Sequence, residues 1–431
     1  MPNIDQLHQL FLKSTGICTD TRKLKQGNLF FALKGPNFNG NLFAEKALNE
    51  GAIAVVIDEP EYDKGGESFI LVENALKYLQ NLASYHRDQL RIPVIGITGS
   101  NGKTTTKELM QTALSAKFKT FATRGNLNNH IGVPLSILAI DDTFEMAIIE
   151  MGANHVGEIA SYCKIAKPTH GLITNIGKAH IGEFGGFENI VLGKSELFDY
   201  LKKNNGIPFV NTNDAVLKNM QKRFENAVTY PNEHDYYPAN PLTGGVFLEL
   251  ETATNVVSTH LVGQYNFMNV AAALCVAKFF EVPEEAAEEA VATYQPKDMR
   301  SQLIKTKHYN IISDAYNANP DSMEVAIKGL VSAENSESVV ILGDMMELGE
   351  LSELEHEKVG EIAVDLGVSK RFYIGKLIKA AKKTDKFGKF FENKDEFIAY
   401  LKEHPIKHGS TILLKGSRKN ALEDLLPYFE E

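Results

Sequence analysis

The run Gly96-Ile97-Thr98-Gly99-Ser100-Asn101-Gly102-Lys103-Thr104-Thr105 carries the strongest chemical signal in the chain. It follows an apolar stretch, Val94 to Thr98, and opens a helix-forming one from about Lys103. That strand–loop–helix setting is the one in which a phosphate-binding loop works. The glycines let backbone N–H groups close around phosphate oxygens, and the helix start adds a favourable dipole. Lys103 can reach the β- and γ-phosphates, and Thr104 can ligate Mg²⁺. The local form, Thr-Gly-x-x-Gly-Lys-Thr, departs from GxxxxGK[ST] in placing Ile97 where the first glycine usually stands. Glu150 is the second candidate. It ends the apolar stretch Ala147-Ile148-Ile149, where a carboxylate has no packing reason to be, and at a strand's C-terminal edge it can hold Mg²⁺ directly or through water. A nucleoside triphosphate with Mg²⁺ is the expected ligand. Where its phosphoryl group goes is not written in the loop, because switches, motors and kinases share it.

These groups need a scaffold, and 431 residues at roughly 100–200 per domain supply two to four domains, three being the central value. Apolar residues make up 43% and charged ones 23%, ordinary globular usage that can bury a substantial core. The formal charge is −10, from 55 acidic and 45 basic residues, so neither nucleic acid nor an anionic membrane is expected as a partner. Cys18, Cys163 and Cys275 are scattered without CxxC spacing, which argues against a disulfide framework or a zinc site and fits a reducing cytoplasm. The N-terminus has no basic segment leading into an apolar one, so no secretory leader is expected. Val270 to Phe280, the most apolar helix-like stretch, is too short to span a bilayer and contains Lys278. Glu284, Glu285, Glu288 and Glu289 read as a solvated helix face. A cytoplasmic protein without stable membrane insertion is expected.

Strand and helix signals alternate from Val94 onward: strands at 94–98, 146–150, 171–175 and 207–211, helices from 103, from 156 and over 190–201. Such alternation implies a parallel sheet wrapped by helices. Residues 245–261 read as shorter antiparallel strands and 266–280 as a helix. A further unit starts near Gln295-Pro296, with strands at 310–313, 339–342, 371–374 and 411–414. Its Gly-rich turns do not form GxGxxG, so it reads as a second, smaller Rossmann-like sheet without a dinucleotide role. The expected class is α/β in three domains. They are a small mixed α/β N-terminal domain (1–90) holding strand-like runs at 29–33 and 52–57, a central phosphate-loop ATPase domain with a parallel sheet (91–295), and a C-terminal Rossmann-like domain (296–431). A cleft between the two larger domains is a common place for a ligand.

Reading onward from the loop, the chain resembles the Mur ligases, the ATP-dependent amide-forming enzymes of peptidoglycan synthesis. The matching runs are 98–107 (TGSNGKTTTK), 125–134 (GNLNNHIGVP), 150–155 (EMGANH), 175–180 (NIGKAH), 314–323 (DAYNANPDSM) and 342–349 (LGDMMELG). Their order and spacing cover nearly the whole chain. The 150–155 and 314–323 runs resemble the branch that adds D-Ala-D-Ala to UDP-MurNAc-tripeptide, and no Asp-Asn-Pro-Arg run of the diaminopimelate-adding branch occurs. The resemblance implies three domains that bind in turn the UDP-sugar peptide, ATP and the incoming amine. It implies a reaction through an acyl phosphate and most simply a monomer.

It also implies roles for residues. Lys103, His180 and Lys194 would be catalytic. Thr104 and Glu150 would hold one Mg²⁺, with His180 and Lys194 at a second. Lys194, in Gly-Lys-Ser-Glu, would be carbamylated, since a hard cation wants oxygen and an ammonium would repel it; carbamylation needs a neutral amine. Gly99, Ser100, Asn101, Gly102, Lys103, Thr104 and Thr105 would cradle the phosphates. Asn269 would lie at the adenine, Arg300 at the phosphates and Asp314 at the ribose, with Asn266 read equally as a helix cap. In the first domain Thr21 and Arg22 would serve the UDP-sugar, with Asn41 nearby. Lys415, Ser417 and Arg418 would take the dipeptide carboxylate, and Asn317 and Asn319 would flank adenine or dipeptide. The rivals are a Mur or folylpolyglutamate-synthase-like ligase adding one amino acid, and, in another class, an ATPase switch that ligates nothing.

Overall fold

The computed structural model describes residues 3–296, 299–332 and 337–430. Four parallel strands open the chain, in the order Ile17–Cys18, Leu29–Phe31, Ala54–Ile57 and Phe69–Leu71. A two-stranded hairpin, Lys34–Gly35 with Phe38–Asn39, sits outside that sheet. Helix Ala75–Gln89 leads from it toward the next sheet, capped by Asn74, whose side chain accepts from the Lys77 N–H.

The central sheet has six parallel strands, ordered Val228–Tyr230, Ile207–Asn211, His170–Ile173, Val94–Thr98, Met146–Glu150 and Thr120–Ala122. Val94–Thr98 and Met146–Glu150 are buried at every position, as strands covered on both faces must be. Their C-terminal ends stand side by side, Ile97 opposite Glu150, which places the phosphate loop and the acidic strand end together. Helix Phe187–Lys203 packs against one face of the sheet, with Leu197 and Leu201 against Gly171. Helix Phe267–Phe279, apolar on nearly every side, lies buried against helix Lys103–Leu114, helix Glu284–Thr293 and strands Ile207–Asn211 and Val228–Tyr230. Helix Glu284–Thr293 in turn packs on the antiparallel sheet Asn240–Leu242, Phe247–Glu251 and Val256–Val262.

The C-terminal sheet also has six strands, in the order Gln302–Lys305, Asn310–Asp314, Thr411–Lys415, Ser338–Gly343, Lys370–Ile374 and Lys389–Phe391. Only the first pair is antiparallel. This sheet is therefore not smaller than the central one. The strands missing from the expectation, Thr120–Ala122, Val228–Tyr230, Gln302–Lys305 and Lys389–Phe391, all lie at or beside a sheet edge and are short, so each offers little apolar run to read. The acidic helix face is also corrected at one position. Glu288 is buried and accepts from Thr252 and Thr254 hydroxyls and the Asn255 amide, closing the turn between two strands. One apolar cluster runs continuously from Leu7 through the central sheet to Leu413, tying the three sheets into one body. No helix among the described residues is long and apolar enough to cross a membrane.

Candidate active site

A cavity of about 910 Å³ opens where the phosphate loop faces the strand ends of the C-terminal sheet. One wall is Ser100 to Thr105, and the opposite wall includes Arg300, Asp314, Asn317 and Lys415. Gly102 adopts φ 76°, and a side chain there would overlap the Asn269 amide, so only glycine fits. Ser100 exchanges two hydrogen bonds with Gly177: its hydroxyl donates to the Gly177 carbonyl at 2.9 Å, and the Gly177 N–H donates to Oγ at 2.8 Å. The Asn101 N–H donates to Asn175 Oδ1 at 3.0 Å. Lys103 folds back over the loop, its ammonium donating to the Gly99 carbonyl at 2.7 Å and the Ser100 carbonyl at 3.3 Å. Burial lowers the Lys103 pKa from the usual lysine range, Arg300 adds to the shift, and Glu150 opposes it.

Glu150 is 1% exposed. Its Oε1 accepts from the Asn128 amide at 2.8 Å and the Thr104 hydroxyl at 3.2 Å, while Oε2 is buried with no hydrogen-bond partner and lies 3.7 Å from Lys107 Nζ. A buried anionic oxygen left unsatisfied beside a threonine hydroxyl is what a hard cation completes. Thr104 and Glu150 thus fit Mg²⁺.

Lys194 is fully buried, its amine donating to the Ala153 carbonyl at 3.1 Å and lying 5.2 Å from the centre of the Phe184 ring. Burial, then the charge of Lys103, pushes its pKa well below the usual lysine range, against the opposing pull of Glu158 and Glu196. A neutral amine is favoured there, which is the form that adds CO₂. The Lys194 side chain does not line the cavity, although its partner Ala153 does.

His180 takes a left-handed φ of 58° and brings Nδ1 to 2.5 Å from Glu347 Oε2 and 3.7 Å from Glu183 Oε2. The closer contact is an ion-pair approach without hydrogen-bond alignment, since Nδ1 has no aligned partner. The ligand atoms of His180, Glu183 and Glu347 lie within 4.8 Å of one another. The imidazole of His180 close by holds the Glu347 carboxyl below the usual carboxylate range, and the Glu183 pKa is raised by burial and by Glu347. Sequence reasoning missed both acids. Glu347 sat within a quoted run, and only the fold brings it across.

Several expected ligand contacts are already taken inside the protein. Asn269 lines the cavity, but its amide accepts from the Thr106 hydroxyl and donates to Asn266. Asn266 caps no helix N–H and bonds the Val262 carbonyl instead, so the capping reading is corrected. Asp314 and Lys415 end adjacent parallel strands in direct register and pair at 2.5 Å, and Asp314 also accepts from the Ser301 N–H. The Lys415 ammonium is held by Asp314 and the Asn317 carbonyl at the cavity wall. Ser417 is buried, bonded to Asn420, and Arg418 is exposed and pairs with Glu423, so neither faces the cavity. Asn317 is exposed and lines it. Asn319 also lines it, with its amide donating to Asn101 at 2.7 Å and accepting from the Ser322 N–H. Thr21, Arg22 and Asn41 lie outside the cavity. Arg22 makes a forked contact with Asp20 on the surface. Asn41 is 1% exposed with its amide spent on Asn39 and Asp58, a structural role set by burial. Arg300 sits over Tyr316, its guanidinium 3.7 Å from the ring centre, with Nε buried and unpartnered.

A phosphate-binding loop facing a second α/β sheet across a cleft, with a buried acid at its side and a fully buried lysine behind it, defines an ATP-dependent ligase in architecture. Three family models match in sequence: "Mur ligase family, catalytic domain" over residues 13–97, "Mur ligase middle domain" over 97–277 and "Mur ligase, glutamate ligase domain" over 299–418. The chain belongs to the Mur ligase family, ATP-dependent enzymes that form amide bonds. It is 35% identical over 429 residues to the UDP-N-acetylmuramoyl-tripeptide--D-alanyl-D-alanine ligase of Bacillus subtilis (strain 168), covering 95% of this chain and 92% of that protein. Among solved structures it is similar to MurF from Acinetobacter baumannii, with a TM-score of 0.89, 29% identity, and coverage of 99% and 98% of the two chains. It is also similar to the MurF ligase from Thermotoga maritima in complex with ADP, with a TM-score of 0.86, 28% identity, and coverage of 97% and 98%.

Proposed function

We propose that this chain joins D-Ala-D-Ala to UDP-MurNAc-tripeptide at the expense of ATP, giving the pentapeptide precursor of peptidoglycan. The observation that carries the reading is the near-full-length likeness to ligases of that name, combined with a cavity whose walls are the phosphate loop and the C-terminal strand ends. The ADP-bound relative supports ATP at the phosphate loop. The domain roles that fit are residues 1–90 for the UDP-sugar peptide, 91–295 for ATP and 296–431 for the dipeptide. The substrates and the three free, buried cysteines fit the cytoplasm, and a cavity walled by one chain fits a monomer.

In the reaction the tripeptide's terminal carboxylate attacks the γ-phosphate, releasing ADP, and the dipeptide amine then attacks the acyl phosphate carbon and expels phosphate. Lys103 would swing from the loop carbonyls to the triphosphate, joined by backbone N–H groups of the loop and by Arg300 from across the cleft. Thr104 and Glu150 would hold Mg²⁺, and His180 with a carbamylated Lys194 would offer ligands to a second. Mg²⁺ supplies neutralisation of the phosphate charge that otherwise repels the attacking carboxylate. Closure of the C-terminal domain shields the acyl phosphate from water.

The test is phosphate release with Mg-ATP and UDP-MurNAc-tripeptide, with D-Ala-D-Ala, D-Ala, L-Lys or no amine, the product being weighed by mass spectrometry. Release that depends on D-Ala-D-Ala and yields the pentapeptide is expected. Amine-indifferent release would leave a switch, and dependence on another amine would change the substrate. In the same assay Lys194→Ala should lower turnover by ~100-fold or more while ATP still binds. Labelled bicarbonate should give a carbamate signal in the native chain alone.

A further inference from the structure

The segment Asn175–Lys178 is gripped from three sides. The phosphate loop holds it through the Ser100 exchange with Gly177 and through the Ser100 N–H, which donates to the Asn175 carbonyl at 3.0 Å. From the central domain, Asp214 accepts from the Ile176 N–H at 3.1 Å. From the C-terminal domain, Asp321 Oδ2 accepts from the Lys178 N–H at 2.6 Å. Asp321 lies in the first turn of helix Pro320–Ser332. That turn is fixed by Asn319 and Ser322, each side chain accepting from the other's backbone N–H at 3.0 Å. From the same lock, the Asn319 amide reaches Asn101 of the phosphate loop. The approach is so close that a Cβ on Gly177 would overlap Asp321 Oδ2, whereas the next nearest atom, Asp321 Cγ, would be 3.4 Å away. Gly177 does not take a left-handed φ, so its lack of a side chain answers to Asp321 and not to a turn.

We propose that Asp321 is a positioning residue for the ligation, seating the C-terminal domain on the segment that shapes the phosphate loop and leads to His180. Beside the Asn319–Asn101 contact, Asp321 pins the two domains at a single backbone N–H, and the loop and the strand ends facing it keep their register through that docking. A misplacement of about 1 Å in such a constellation costs as much as ~100-fold in rate. The role needs an acceptor oxygen at Asp321, not a negative charge. This inference rests on the ligase reading for its assay, and the native chain run alongside keeps the two apart. A native chain without D-Ala-D-Ala-dependent turnover overturns the ligase reading, whereas the variants compared with an active native chain judge Asp321.

The experiment is a double-variant cycle on the full chain, Gly177→Ala, Asp321→Ala and both together, with Asp321→Asn as the conservative variant. Asp321→Ala should cut kcat/KM for D-Ala-D-Ala by ~10–100-fold, with a raised KM for the dipeptide, while the Kd for Mg-ATP by calorimetry stays within ~3-fold. Gly177→Ala should do comparable damage alone and little further damage in the Asp321→Ala background, the non-additivity expected of atoms that collide. Asp321→Asn should stay within ~3-fold of the native chain, because its amide oxygen still accepts from Lys178. A merely structural defect would reduce the active fraction without raising the dipeptide KM. Equal loss in Asp321→Asn and Asp321→Ala, additive costs in the cycle, or unchanged kinetics in Asp321→Ala would each overturn the proposal.

Discussion

Arg300 depends on Tyr316 for its aim. The guanidinium rests 3.7 Å from the ring centre, and the residues on either side, Met299 and Ser301, both take left-handed φ values of 56° and 51°. Such backbone is strained for residues other than glycine and is kept where the surroundings impose it. A cation on an aromatic face gains roughly 0.5–2 kcal/mol. Tyr316→Leu should therefore raise the KM for ATP by ~3–30-fold, and Tyr316→Phe, which keeps the face, should leave it near the native value. Equal losses in both would mean that the hydroxyl matters and the stacking does not. At this scale the phosphate loop was legible because its parts are consecutive in the chain, as was Glu150, an acid in an apolar stretch. Asp314 and Lys415 were read as ligands of different molecules, one for ribose and one for a carboxylate. They neutralise each other because two distant stretches become neighbouring parallel strands in register, and nothing local announces that. Asn319 and Glu347 share the same reason: Asn101 and His180, their partners, come from distant segments of the chain.

Strand His170–Ile173 shows how an element that places the site also sets the conditions under which it survives. His170 opens the strand with its ring against Phe280 at 4.9 Å, Phe279 at 5.5 Å and Phe209 at 6.1 Å between centroids. Burial lowers its pKa from 6.5 to about 4. As pH falls below about 6.5 the unfolded chain takes up the proton first, so stability is complete above that value and drains away down to about 4. By linkage the loss approaches ~2 kcal/mol at about pH 5. Urea unfolding should show the native chain weaker at that acidity than at about pH 8, and His170→Phe should lose less by roughly that amount. His86 and His356, also shifted down by burial, would keep a residual slope. An identical slope in native chain and variant would remove His170 from the account. The interior strands were readable from their continuous apolar runs, most closely Val94–Thr98, Met146–Glu150 and Ile207–Asn211, whose ends match expectation. The helix expected from Val156 begins at Glu158, because Gly157 takes φ 94° and Glu158 first binds the N–H groups of Asn154 and His155. The short edge strands, three or four residues each, carry no such run.

In the whole molecule, three sheets share one apolar cluster, but the polar contacts between the central and C-terminal domains gather around the cavity. Asn101 meets Asn319, Lys178 meets Asp321 and Glu355, His180 meets Glu347, and the Gly182 N–H donates to the Glu347 carbonyl at 3.0 Å. A ligand that touches both walls stabilises their seating as well as the loop that holds its phosphates. At about 100 times its Kd such a ligand adds roughly 2.7 kcal/mol to the state it binds. Part of that gain should appear as slower opening of backbone far from the phosphates in sequence. Hydrogen exchange with and without saturating Mg-ADP should therefore show protection at residues 99–105, as any phosphate loop would. It should also show protection at 175–182, at 299–301 and in the first turn of helix Pro320–Ser332. Protection confined to 99–105 would mean that the nucleotide is read by the central domain alone. Protection in all four segments would mean that nucleotide binding and the docking of the C-terminal domain are a single event, so that the cleft completes itself around the nucleotide before any acyl transfer begins.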